Sequence, residues 1–271
     1  PARASAGGVR AHTVAVGAPG LVDPATGRLT GTGTLPSWHG ALVAGLRDRL
    51  EAPLLLENEV NLAAIAECRD GAARDRDRDT FVLLWLGHGV GAAVFLDGRL
   101  RRGASGGTGE IGFLPVPGTP SLPTAAGCDG GFHSLAASPA IVALAGEYGF
   151  VPANVEDGTD APPAEHVVRA AVAAGPVGAA FLDALARRVA VGVAAVAAVL
   201  DPGCVVLGGE IGRAGGEALA TRVATYAARM SPLYTEVRAG TVGGRGVLRG
   251  AVLAAKDAAQ DDLFSPDDAA H

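Results

Sequence analysis

Apolar residues along this chain come in short bursts whose period changes repeatedly. Thr13 to Gly17 is one such burst, closed by Ala18-Pro19-Gly20, which reads as a buried strand ending in a turn. Between Trp38 and Leu50 the apolar positions 42, 43, 46 and 50 form a helical stripe. Leu54 to Leu56 is a second short strand that runs into Glu57-Asn58-Glu59-Val60-Asn61. Asn61 to Arg69 then reads as a helix with Leu62, Ile65 and Ala66 inward. Strand, helix, strand, helix predicts a parallel, helix-covered sheet.

The pattern changes after the alternating charges of 74–79. Phe81 to Leu86 and Val90 to Leu96 are two strands joined by Gly87-His88-Gly89, and Asp97-Gly98 turns the chain into a third through Arg102. This meander implies a second sheet. Residues 118–131 and 151–163 read as irregular connections, and Ala137 to Glu147 as a helix. Pro176 to Leu200 predicts a long Ala/Val helix stopped by Asp201-Pro202. Cys204 to Leu207 reads as a buried strand ending in Gly208-Gly209. Helices are expected over Leu219 to Met230 and Gly250 to Ala259, and 261–271 as a disordered tail.

Composition narrows the function classes. A net charge of -6 argues against a nucleic-acid surface within this segment. Cys68, Cys128 and Cys204 are odd in number and widely spaced, which supports neither a disulfide framework nor a metal knuckle. No apolar run reaches the length of a membrane span, and no signal peptide is visible, so a cytoplasmic protein is expected. The only methionine is Met230, so residue 1 is not a translation start and sequence upstream is expected to have been lost.

Four groups of residues have chemical potential. Gly87, His88, Gly89 and Gly91 could curl N–H groups around a phosphate, or merely reverse a hairpin. Gly208 and Gly209 close a buried strand, where an open α/β sheet places its ligands, although tight packing accounts for them equally well. Asn58 and Glu59 could share the hydroxyls of a polyol, with Glu59 as a general base. They could equally be a helix cap and a first-turn acid. Glu110, between glycine-rich stretches that include Gly107, is either a ligand contact or a surface charge, and Trp38 either lines a cleft or caps a core. His88 and His133 have no partners at metal spacing, and no metal site is expected.

Together these segments resemble the ROK family (repressors, open reading frames and kinases) within the actin-like, sugar-kinase superfamily. The resemblance lies in GAPGLVD at 17–23, LPSWHG at 35–40, ENEVNLAAIAE at 57–67, the stretch from Leu86 to Gly112, and LDPGCVVLGGEIG at 200–212. It implies an α/β, actin-like (ribonuclease H-like) fold of two lobes with a hexose-sized ligand in the cleft between them. The first strands of lobe one are expected to be missing. The implied division is a lobe over 1–73, rejoined by a helix near 246–260, and a larger lobe over 74–245. Asn58, Glu59, Glu110, Gly107 and Trp38 are then implied sugar contacts. The two glycine segments become the nucleotide side, and a homodimer is implied.

Departures from the family pattern shape the expected function. Glu59 stands where the family's kinases have the Asp base, and Phe113 where they have a sugar-contacting His. Ala125, Gly127, Phe132 and Ser134 occupy the positions of the zinc loop's three thiolates and Glu, so zinc is not expected. No Asp-x-Gly-Gly-Thr phosphate hairpin occurs before Thr13. The expectation is a sugar-sensing effector domain of a ROK-type transcriptional regulator, degenerate as a kinase. It would bind a sugar or sugar phosphate and reach DNA only through an upstream domain. Two alternatives are an ATP-dependent kinase of a hexose or N-acetylhexosamine, requiring ATP and Mg²⁺, and an inactive truncated fragment.

Overall fold

The computed structural model describes residues 11–30, 38–74, 79–152 and 161–264, apart from the side chains of 38–40. The expectations placed on 35–37, on the Trp38 side chain, on 75–78 and on 265–271 lie outside these residues.

Two parallel strands open the fold. β1 (Val14–Ala18) pairs with β4 (Leu54–Asn58), Val14 opposite Leu54 and Ala18 opposite Asn58. Between them in sequence lie the antiparallel pair β2 (Leu21–Val22) and β3 (Leu29–Thr30), then α1 (Trp38–Arg49). Asp23 shapes the tight connection from β2 to β3 by accepting hydrogen bonds from the N–H groups of Ala25 and Thr26. α2 (Glu59–Asp70) follows β4 without a loop.

The second sheet has five strands in the order β7-β6-β5-β8-β9. β5 (Phe81–Leu86), β6 (Val90–Leu96) and β7 (Arg99–Arg101) form the expected meander. Its Asp97-Gly98 turn has both residues at positive φ, 54° and 70°, the geometry a two-residue hairpin needs. After α3 (His133–Ala136), α4 (Ser138–Glu147), α5 (Pro163–Ala173) and α6 (Ala179–Leu200) come β8 (Cys204–Gly208), α7 (Gly209–Met230), β9 (Glu236–Ala239) and α8 (Gly246–Phe264). β8 runs parallel to both β5 and β9.

The central strands β5, β6 and β8 are buried on both faces, which explains their nearly unbroken apolar sequences. Val82, Leu84 and Leu86 point from β5 into the large core shared with α4 to α7. Phe81 and Leu83 point the other way, into a smaller core with Ala63 and Ala64 of α2. There Phe81 stacks on Phe95 with ring centroids 4.9 Å apart. α8 returns to cover α2 and β1, and approaches so closely that a Cβ on Gly250 would lie 1.8 Å from the Leu62 carbonyl oxygen.

Five elements correct the sequence expectations. α5 and β9 are present where neither was expected. α5 buries Ala164, Val167, Val168 and Ala171, a helical stripe placed directly behind Pro163 at its N-terminus. β9 is a four-residue edge strand whose polar half masks its apolar half. α6 begins at Ala179 rather than Pro176, because Gly175–Gly178 forms a 3₁₀ turn. α7 begins at Gly209 rather than Leu219, although its path breaks at Gly216 (φ 49°). α8 extends to Phe264, so 261–264 are helical rather than a frayed tail.

Candidate functional site

The end of β4 concentrates the polar groups of the first sheet. Asn58 has extended backbone and caps α2, its Oδ1 accepting from the N–H groups of Val60 (2.8 Å) and Asn61 (3.3 Å). Its Nδ2 donates to the Gly20 carbonyl at 3.0 Å, which ties the Ala18-Pro19-Gly20 turn to the helix start. Capping and tethering therefore account for most of this amide's capacity. Glu59 is half-buried in the first turn of α2, where a carboxylate is favoured by the helix dipole. Its Cγ faces Gly17 at the end of β1, 3.8 Å from where a Cβ would stand.

The most buried carboxylate of the segment is its first residue. Glu57 Oε1 accepts from the Asn58 N–H (2.9 Å) and from Asn61 Nδ2 (2.8 Å), and Oε2 accepts from Arg102 Nε (2.7 Å). Sequence reasoning passed over this residue and Asn61 as functional candidates. The available signal was a Glu that continues an apolar strand with no turn residue before it.

Glu110 sits at the end of a loop pressed between β2 and β6. A Cβ on Gly106 would lie 2.1 Å from the Val22 carbonyl oxygen, and one on Gly109 would lie 1.8 Å from that of Ala92. Gly107 packs near Leu21 and near the Glu110 side chain. Glu110 keeps an exposed surface, yet crowding by its surroundings pushes its carboxyl pKa up. It lines a cavity of about 460 Å³ with Gly107, Ile111, Phe113, Leu114 and the Val196–Leu200 end of α6. Neither Asn58 nor Glu59 lines this cavity, so the structure does not bring Glu59 and Glu110 to a shared cavity.

The segment that follows packs as core and turn. Phe132 is fully buried against Gly192 of α6, and Ser134 Oγ accepts from the Gly130 N–H at 2.8 Å. Burial pushes the Cys128 thiol up and the neighbouring His133 imidazole down. Among the described residues no three His, Cys, Asp or Glu side chains are grouped to hold a metal ion. No described helix is long and apolar enough to cross a membrane.

The glycine candidates converge. Trp85 at the end of β5 pairs with Gly208 at the end of β8, which sets the Gly87–Gly91 turn beside the Gly208-Gly209 turn. Gly87 faces Glu210 of α7, Gly89 faces His133 and Gly91 faces Val60 of α2. His88 offers its carbonyl to the Ser138 N–H at 3.3 Å. Next to this junction, Trp85, Gly208, Gly209, Arg213, Glu67, Gly240, Gly243 and Gly246 surround a crevice of about 30 Å³. These are the carboxyl ends of β5, β8 and β9, where parallel strands present ligands to solvent.

Comparison with known proteins agrees with this architecture. The ROK family profile matches residues 3–258. The ROK hexokinase of Thermus thermophilus superposes with a TM-score of 0.69 at 28% identity, over 94% of this chain and 82% of that one. A ROK glucokinase of Streptomyces griseus, solved with glucose and AMPPNP, gives 0.72 at 28%, over 89% and 80%. A ROK transcriptional regulator, a homologue of the E. coli MLC protein, shares the fold with a TM-score of 0.70 at 24%, over 94% and 64%. The bifunctional enzyme NanE/NanK of Brucella melitensis is 38% identical over 168 residues, which are 62% of this chain but only 28% of that enzyme. The glucokinase of Halalkalibacterium halodurans is 27% identical over 209 residues, 74% of this chain and 62% of that enzyme. The chain thus spans less than two thirds of these curated relatives. With the actin-like α/β arrangement and a profile match over nearly its whole length, the chain belongs to the ROK family.

Proposed function

We propose that this protein binds a hexose or N-acylhexosamine and phosphorylates it with ATP. The observation that carries the reading is the meeting of two glycine turns at the carboxyl ends of β5 and β8, where Gly91 also meets Val60 in the first turn of α2, the turn that the half-buried Glu59 opens. The relatives named above include kinases and a glucokinase solved with an ATP analogue, which supports the same reading.

In this scheme the glycines at 87, 89, 91, 208 and 209 let the chain approach an adenosine phosphate closely. Glu59 removes the proton from the acceptor hydroxyl as that oxygen attacks the γ-phosphorus. The new O–P bond forms while the bond to ADP breaks, and ADP takes the released charge. Glu110 and Gly107 contribute to sugar binding, with Asn58 holding the base's helix in place. Positioning and charge neutralisation supply most of the catalysis in phosphoryl transfer. The described residues provide no three-ligand acidic set for Mg²⁺, and no step is assigned to that ion.

A coupled assay for ADP release, with glucose, N-acetylglucosamine and N-acetylmannosamine, tests the reading on the 271-residue chain. Sugar-dependent turnover that Glu59→Gln abolishes is the expected result. Sugar binding by calorimetry without turnover would reject it in favour of the effector reading. Glu59 and Phe113 favour that second reading, since each departs from the kinase pattern. A longer side chain displaces the base by about 1 Å, enough to cost on the order of a hundredfold in rate.

A further inference from the structure

α2 opens on the candidate base and carries, near its other end, a carboxylate that the proposed reaction does not use. Glu67 is buried, only 5% exposed. Its Oε2 accepts from the Ala72 N–H at 2.7 Å and from the Thr241 hydroxyl at 3.4 Å. Its Oε1 accepts from the Val242 N–H at 2.9 Å. Ala72 lies just past the end of α2, whereas Thr241 and Val242 lie between β9 and α8, so one carboxylate joins segments far apart in the chain. A carboxylate removed from water persists only where donors fill its lone pairs, and here two separate segments provide them. The fit leaves no spare room. A Cβ on Gly71 would stand 2.0 Å from Oε2, and one on Gly240 would stand 2.9 Å from Oε1. Glu67 also lines the small crevice next to the paired glycine turns, with Trp85, Gly208, Gly209 and Arg213.

We propose that Glu67 is a positioning residue for the nucleotide. It fastens the turn from Gly240 to Gly246 to the end of α2 and so fixes the floor of the crevice beside Gly208-Gly209. This role rests on the nucleotide half of the kinase reading. Glu59 and Glu67 share one twelve-residue helix, so the same clamp holds the candidate base in register with the crevice floor. Glutamine cannot replace it. An amide offers one acceptor oxygen and turns an NH₂ group toward an N–H that needs an acceptor.

Calorimetry of the full chain and of Glu67→Gln, with AMPPNP and separately with glucose, tests the proposal. The expected result is an AMPPNP affinity about tenfold weaker and a glucose affinity unchanged within about twofold, on the scale of one hydrogen bond to a charged group. The Ala72 and Val242 amides should also exchange hydrogen faster in the variant. Thr241→Val removes only the hydroxyl contact, leaves the buried charge in place, and should weaken AMPPNP in the same direction by less. Equal weakening of both ligands overturns the role, because it would indicate general loosening. Unchanged AMPPNP affinity in both variants, where the wild type binds, also overturns it while leaving the kinase reading intact. A wild-type chain that binds glucose but no AMPPNP removes the kinase reading and this role together.

Discussion

Arg102 Nε donates to Glu57 Oε2 at 2.7 Å, joining the residue after β7 to a carboxylate whose side chain is only 3% exposed. The other oxygen of Glu57 is held by the Asn58 backbone and the Asn61 amide. Removing the guanidinium would leave a buried carboxylate short of a donor. Arg102→Ala should therefore cost about 1–3 kcal/mol in urea unfolding, the range for a lost hydrogen bond to a charged group. A loss below about 0.5 kcal/mol would rank the pair with ordinary surface ion pairs.

Two glycines at similar φ separate backbone strain from steric overlap. Gly109 (φ 93°) has the Ala92 carbonyl where a Cβ would go, whereas Gly118 (φ 88°) has nothing within 4 Å. Gly118→Ala should lose only the left-handed penalty of about 1–2 kcal/mol. Gly109→Ala should lose more than this and should also displace Glu110, which thermal unfolding together with sugar titration would detect. Equal losses would mean that the loop yields without cost.

Phe132 is fully buried and its ring tip fills the space over Gly192. Phe132→Ala should cost about 3–5 kcal/mol in denaturant unfolding. A cost under about 1 kcal/mol would show that the ring does not anchor the start of α3 to α6.

Glu110 gives a pH signature with a definite sign. Its folded pKa is raised above the ordinary 4.5 by burial, so the folded state holds its proton more tightly than the unfolded state does. Stability from this group is present below about pH 4.5 and is lost as pH rises through the folded pKa. Glu110→Gln should therefore raise the melting temperature near neutral pH, and its advantage should vanish under acid. His133, whose pKa is lowered, contributes the opposite slope below its unfolded value of 6.5. A Glu110→Gln advantage that persists in acid would assign the effect to something other than ionisation.

Elements with one strong period were legible from the residues alone. β5 and β6 have the expected bounds because their apolar runs stop at the Gly87-His88-Gly89 and Asp97-Gly98 turns. The short polar edge strand β9 has no such signal, and its pairing depends on β8, distant in sequence. At the site, the glycines could be read as close approaches, and the structure brings those of β5 and β8 together. The buried role of Glu57 could not be read, because burial of a carboxylate is decided by Arg102, which follows the last strand of the other sheet's meander. Glu67 was hidden for the same reason: two of its three donors, Thr241 and Val242, are distant in sequence.

The Gly250–Leu62 approach has a consequence for biosynthesis. On the ribosome, β1, β4 and α2 emerge long before the helix that seals their rear surface, which begins 176 residues after α2 ends. Until then an apolar face waits in solution, and pairings so distant in sequence form slowly. Nascent chains stalled before residue 246 should therefore be the ones that chaperones retain.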